Sequence, residues 1–143
     1  MNARVPRFVL LLPVLLLAFA GCGPEAGENA KVYTIRGQVE KLPEGEGTPM
    51  LGLRHEAIDD YTSRDGRVMG MDAMSMPFVV GDEASTEGIA VGDVIEFKLR
   101  VDWEAEEPIE ITEIRELPPG TRLTFREAVP PAGPAGDIVQ PQP

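Results

Sequence analysis

Apolar and polar residues alternate with a period of two over several short stretches, and none of these reads as a long helix. The clearest is Val94 to Val101: Val94, Glu96, Lys98 and Arg100 fall on one side, and Ile95, Phe97, Leu99 and Val101 on the other. Ile109 to Ile114 repeats the pattern. Val32 to Val39 is a β-branched run in which Gly37 suits a curved strand. Met50 to His55, MLGLRH, predicts the second strand of a hairpin, with Leu51 and Leu53 on one face, and parity puts His55 there too. A third strand enters at Met74 and runs on through Pro77-Phe78-Val79-Val80.

Turn signals separate these runs at Pro43 to Gly47, at Val91-Gly92-Asp93 and in the acidic stretch Glu104 to Pro108. Gly81 to Ala90 is a polar connection with room for one helical turn near Glu83 to Thr86. Glu56 to Gly70 is longer and polar; its Asp65-Gly66 pair, flanked by Arg64 and Arg67, predicts a small protruding hairpin. Five short strands joined this way predict an all-β domain, a small five-stranded antiparallel OB-like β-barrel.

The ends differ from the middle. Met1 to Arg7 is short and basic and Phe8 to Ala20 almost wholly apolar, the pattern of a secretory signal. It closes on Phe19-Ala20-Gly21-Cys22, which resembles the lipobox of bacterial lipoproteins, with Phe19 in place of the usual Leu. The expected organisation is a lipoprotein signal peptide over 1–21, a tether over 22–31 and the barrel over 32–117. A Pro-rich, mostly disordered tail follows over 118–143, with Thr121 to Ala128 a candidate late strand. Half of the 14 prolines fall in that tail. Cys22 is the only cysteine, so no disulfide forms within the chain, and it is the candidate lipidation site. An ordinary secretory signal with an incidental cysteine is the bland alternative.

Charge narrows the partners. The formal net charge is −11, and removing Arg4 and Arg7 with the signal leaves 11 Lys and Arg against 24 Asp and Glu, a net −13. Such a surface repels phosphate backbones, so nucleic acid is excluded as a partner. With one histidine and no cysteine in the folded part, there are few ways to activate a nucleophile. Carboxylate pairs such as Asp59 and Asp60 read as a solvated loop, and the chain is not expected to be an enzyme.

Candidate chemistry concentrates in Met69 to Phe78, MGMDAMSMPF, which holds four of the six methionines: Met69, Met71, Met74 and Met76. A thioether is a soft, uncharged donor that does not titrate, and it selects Cu(I) or Ag(I) over zinc, calcium or magnesium. On a strand, Met74 and Met76 share a face, and Met71 in its Gly-flanked turn could fold over it. The lone imidazole, His55, is the natural companion donor. An export compartment favours thioethers over thiols, since they form no disulfides. The alternative is that the methionines only fill the core. Trp103, ending the fourth strand, is expected to cover the open end of the barrel rather than a cation.

The order of Tyr33 to Val39, Leu53-Arg54-His55-Glu56-Ala57-Ile58, Met71 to Phe78 and Val91 to Phe97 resembles the CusF-like family of periplasmic copper- and silver-binding metallochaperones. The likeness spans roughly Val32 to Leu117, and its most specific piece is AMSMPF with HEAI upstream. It implies an OB-type barrel in which one His and two Met bind Cu(I) or Ag(I); by position these are His55, Met74 and Met76. A tryptophan caps the ion in that family, and Met71 stands at its position here, implying a third thioether in place of the cap. The stretch from His55 to Met71 is also longer than in the shorter members. The resemblance further implies a carrier on the periplasmic side of the bacterial envelope that passes its ion to an efflux-pump component or a copper-enzyme assembly factor. Cys22 would anchor it to the membrane. A β-barrel interaction module that binds no metal is the competing reading.

Overall fold

The computed structural model describes residues 29–132. The expected signal segment, Cys22, most of the tether and residues 133–143 lie outside the described residues.

Five strands form: β1 (Lys31–Lys41), β2 (Met50–His55), β3 (Met74–Val80), β4 (Val94–Val101) and β5 (Ile109–Glu116). They close into a barrel in the order β1-β2-β3-β5-β4, all-β and OB-like as expected. One detail of that expectation is corrected: β3 and β5 pair in parallel, at Val79↔Glu110 and Val80↔Ile111, while the other four contacts are antiparallel. The reason is parity. Directions that alternate around a closed ring of five must break alternation once, and the break falls between β3 and β5.

Alternation along each strand fills the interior. Leu51, Leu53, Ile95, Phe97, Leu99 and Ile111 are sealed, each at 1% exposure or less. Burying each such side chain contributes about 1.5–3 kcal/mol. The outward positions of β4 and β5 carry charge instead, with Lys98 paired to Glu113 at 2.5 Å and Arg115 to Glu96 at 2.6 Å. These are surface pairs, worth at most about 1 kcal/mol each.

Two features place the site. The first is β3's open edge. β3 pairs with β2 from Met74 to Val79 but meets β5 only at Val79 and Val80, so among the described residues its methionine half has no ladder partner on that side. Pro77, which cannot donate to a ladder, belongs on such an edge. The second is the excursion after β2. β1 pairs with β2 only from Gly37 onward, and residues 56–71 fold back along its other half, Lys31–Arg36. The Glu56 amide donates to the Arg36 carbonyl at 2.9 Å, the Thr62 amide to the Tyr33 hydroxyl at 3.1 Å, and Lys31 Nζ to Thr62 Oγ1 at 2.6 Å.

The predicted small hairpin does form in this excursion, closed by the antiparallel bridges Ile58↔Met71 and Thr62↔Val68 around a turn at Gly66. It lies against the barrel rather than protruding, because Ile58 and Tyr61 are buried in the core and Tyr61 packs on Tyr33 with ring centroids 5.8 Å apart.

No helical turn forms at Glu83 to Thr86; two separate turns replace it, with the Ala84 amide donating to Gly81 and the Ile89 amide to Thr86. Thr121 to Ala128 forms no strand and joins no ladder among the described residues. Trp103, partly buried against the core, lines a cavity of about 200 Å³ with Lys31, Thr62 and Val101.

Candidate metal centre

His55 ends β2 facing inward, continuing the parity of Leu51 and Leu53, and is fully buried. Its ring packs edge-on against Phe78, centroids 5.5 Å apart. Nδ1 lies 2.7 Å from the Glu56 carbonyl oxygen. A carbonyl only accepts, so Nδ1 carries the proton and Nε2 presents a lone pair. That Nε2 is buried and, among the described residues, has no hydrogen-bond partner. An orphaned acceptor in a core costs about 1–3 kcal/mol, so it calls for an explanation. Burial pushes the imidazole below its ordinary value, against a smaller opposing effect of the Glu56 carbonyl. The ring is therefore held neutral, as a metal donor must be. A ring N–H fixed on a backbone carbonyl is also the usual way to orient a ligating histidine.

The methionines enter from β3. Met74 is the direct cross-strand partner of His55, and Met76 that of Leu53. Directly opposed residues on antiparallel strands share a face, about 4.5–5.5 Å apart at Cβ. His55, Met74, Met76 and Phe78 thus lie on one face of the β2–β3 ladder, with Met74 at its exposed end. Met76 is partly buried and packs on the core, whereas Met74, at the strand's first position, is 45% exposed. Met71 is partly buried against the core and bridges Ile58, three residues past His55. The excursion therefore returns Met71 to the segment it left at His55. Met69 is 59% exposed.

Among the described residues, no three His, Cys, Asp or Glu side chains cluster so as to hold a metal ion. The donors gathered at this end are one imidazole nitrogen and thioether sulfurs, a set that suits a soft monovalent ion and no hard one. Trp103 lines its cavity with Lys31 and Thr62 and none of these methionines. A groove of about 430 Å³ between β1 and residues 56–60 likewise contains none of them.

Sequence reading did not foresee what lies over this end. Residues 124–129 cross the excursion and the start of β3, tied to it by six hydrogen bonds, with Phe125 stacked under the Arg54 guanidinium 4.0 Å from the ring centroid. Their sequence, Thr-Phe-Arg-Glu-Ala-Val, carries no period that would have marked this contact.

No family model matches the chain, and no curated protein matches it. Two solved structures from Escherichia coli are similar to it. One is apo-CusF, 12% identical, covering 67% of this chain and 99% of that one, with a TM-score of 0.44. The other is a tryptophan-to-alanine variant of CusF with Cu(II), 14% identical, covering 61% of this chain and 92% of that one, with a TM-score of 0.40.

Proposed function

We propose that the barrel carries one Cu(I) or Ag(I) ion, held by His55 Nε2 with the sulfurs of Met74 and Met76 and with Met71 as third thioether. The observation that carries this reading is the buried, deprotonated and unpartnered Nε2 of His55, on a residue whose ladder partner is Met74. An acceptor left without a partner in a core is costly, and a bound soft cation would complete it.

The half-open edge of β3 supports a carrier. Neutral donors add no charge to the ion, and ligands on a strand with one free edge can be displaced one at a time by an incoming donor. Release would then proceed by ligand exchange, to an efflux-pump component or a copper-enzyme assembly factor. On this reading the chain is no enzyme. Lipid on Cys22 would hold the domain at the periplasmic face of the bacterial envelope and raise its effective concentration for a membrane partner.

The interaction-module reading draws on one observation: Met71 and Met76 pack on the core. The 45% exposure of Met74 does not suit a residue that only fills a core. Native mass spectrometry with Ag(I) under reducing conditions separates the two. One ion per chain is expected, and a chain that retains none would remove the carrier reading.

A further inference from the structure

Resting on that reading, we propose that residues 121–130 form a strap that sets how long the ion is retained, with Arg126 as a positioning residue for the loop joining Met71 to Met74. The pattern of contacts carries the proposal. The only two residues between those methionines are Asp72 and Ala73. Both are tied to the strap: Asp72 Oδ1 accepts from the Ala128 amide at 2.7 Å, and the Ala73 amide donates to the Arg126 carbonyl at 2.9 Å.

The other anchors sit beside His55 and beside Met71's bridge partner. Asp59 follows Ile58 and accepts both Arg126 guanidinium nitrogens at 2.7 Å, one on each carboxylate oxygen, with a further 2.7 Å bond from the Val129 amide. Glu56 follows His55 and accepts from the Thr124 amide at 2.6 Å while Arg36 grips the same carboxylate. Each anchor is thus one residue from a proposed ligand or its bridge partner.

Gly70 shows that the close approach is built in. At φ +70° it adopts the left-handed region, and a Cβ there would sit 2.7 Å from Ala128 Cβ and 3.1 Å from Pro130 Cγ. Without the strap, the loop would be held to the excursion by isolated bridges alone. Bidentate Arg–carboxylate geometry fixes orientation as well as distance. Loss of an ion needs a sulfur to swing away, and a loop pinned at both residues between two sulfurs resists that motion.

The test uses the full chain carrying Arg126→Ala, Asp59→Asn, both together, or Arg126→Lys. Stoichiometry with Cu(I) is measured first, then the rate of Cu(I) release to excess bicinchoninate. Amide hydrogen exchange is followed at Ala73 and Ala128, with Phe97 and Leu99 as core references. Each single variant should keep one Cu(I) per chain and release it about tenfold faster, the scale seen for partners that orient metal ligands. The double variant should release no faster than the singles, and Arg126→Lys should fall between. Ala73 and Ala128 should exchange faster while Phe97 and Leu99 do not change. Unchanged release from variants whose Ala73 amide has loosened would overturn the strap's role and leave the carrier standing. A parent that binds no Cu(I) overturns both, and the stoichiometry shows this before any rate is measured.

Discussion

His55 and Met74 face each other directly across the β2–β3 ladder, one wholly buried and the other nearly half exposed. That pairing joins a protected nitrogen to an accessible sulfur at the barrel's rim. An ion seated there would be approached from the sulfur side, so the outer methionine should matter more for exchange than for folding.

Replacing Met74 and Met76 with Leu should therefore separate binding from stability. Met-to-Leu swaps nearly conserve volume and cost less than about 1.5 kcal/mol even in a core. Chemical denaturation should give a near-parental midpoint, whereas Ag(I) retention in native mass spectra should be lost in the double variant. A double variant that still holds its ion would exclude these sulfurs as ligands.

The imidazole gives a pH signature. Burial lowers its value from the ordinary 6.5, so in the fold the neutral form persists below that pH while the unfolded chain takes up its proton there. The unfolded state then binds more protons, and stability should fall as pH drops below about 6.5, with no contribution from His55 to any slope above it. Ion retention should fail at a lower pH than stability begins to decline, because only the folded ring's lowered value governs competition with the ion. Urea titrations at stepped pH, in parent and His55→Gln, check this: the variant should lack that part of the slope.

Acid should leave the Asp59 anchor of the strap intact until low pH. The Arg126 hydrogen bonds, followed by that of the Val129 amide, hold the Asp59 carboxyl down to about 2 from an ordinary 3.8. Its contribution is fully present above pH 3.8 and is lost only as pH falls through about 2. Exchange protection of the Val129 amide should thus show no titration from pH 7 to about pH 4, provided the barrel remains folded. A midpoint above 4 would contradict the bidentate pair.

Gly70→Ala should weaken the fold and speed release together. The left-handed backbone alone costs an L-residue about 1–2 kcal/mol. The added methyl also meets Ala128 and Pro130. Thermal melts should show the loss, and Cu(I) release should accelerate toward that of Arg126→Ala. Parental release would mean that the strap tolerates displacement at this point.

Tyr33→Phe probes the excursion from its far side. The Tyr33 hydroxyl accepts the buried Thr62 amide, and removing it orphans that donor at about 1–3 kcal/mol. Denaturation should register the loss with Ag(I) stoichiometry intact, since none of the proposed ligands takes part in the lost bond.

The strands were legible mainly through alternation, which is clearest in β4. β4 buries Ile95, Phe97, Leu99 and Val101 as its pattern demands, and parity alone put His55 inside. The cross-strand meeting of His55 with Met74 was not legible, because it depends on where the fifteen residues Glu56 to Gly70 send the chain. That route is decided by Ile58 and Tyr61, two isolated apolar residues whose burial no periodicity announces. The strap was hidden for a related reason. Its contacts are backbone amides reaching Asp and Glu carboxylates that looked like ordinary solvated charge, and a proline-rich neighbourhood suggested no partner.

The odd number of staves has one more effect. Where alternation breaks, β3 and β5 share a seam of only two paired positions, next to the methionine half of β3. Breathing is cheapest where the fewest main-chain bonds must part. On the proposed reading, an ion at Met74 and Met76 would leave beside this short seam, where two paired positions must part, against eight in the β1–β4 ladder.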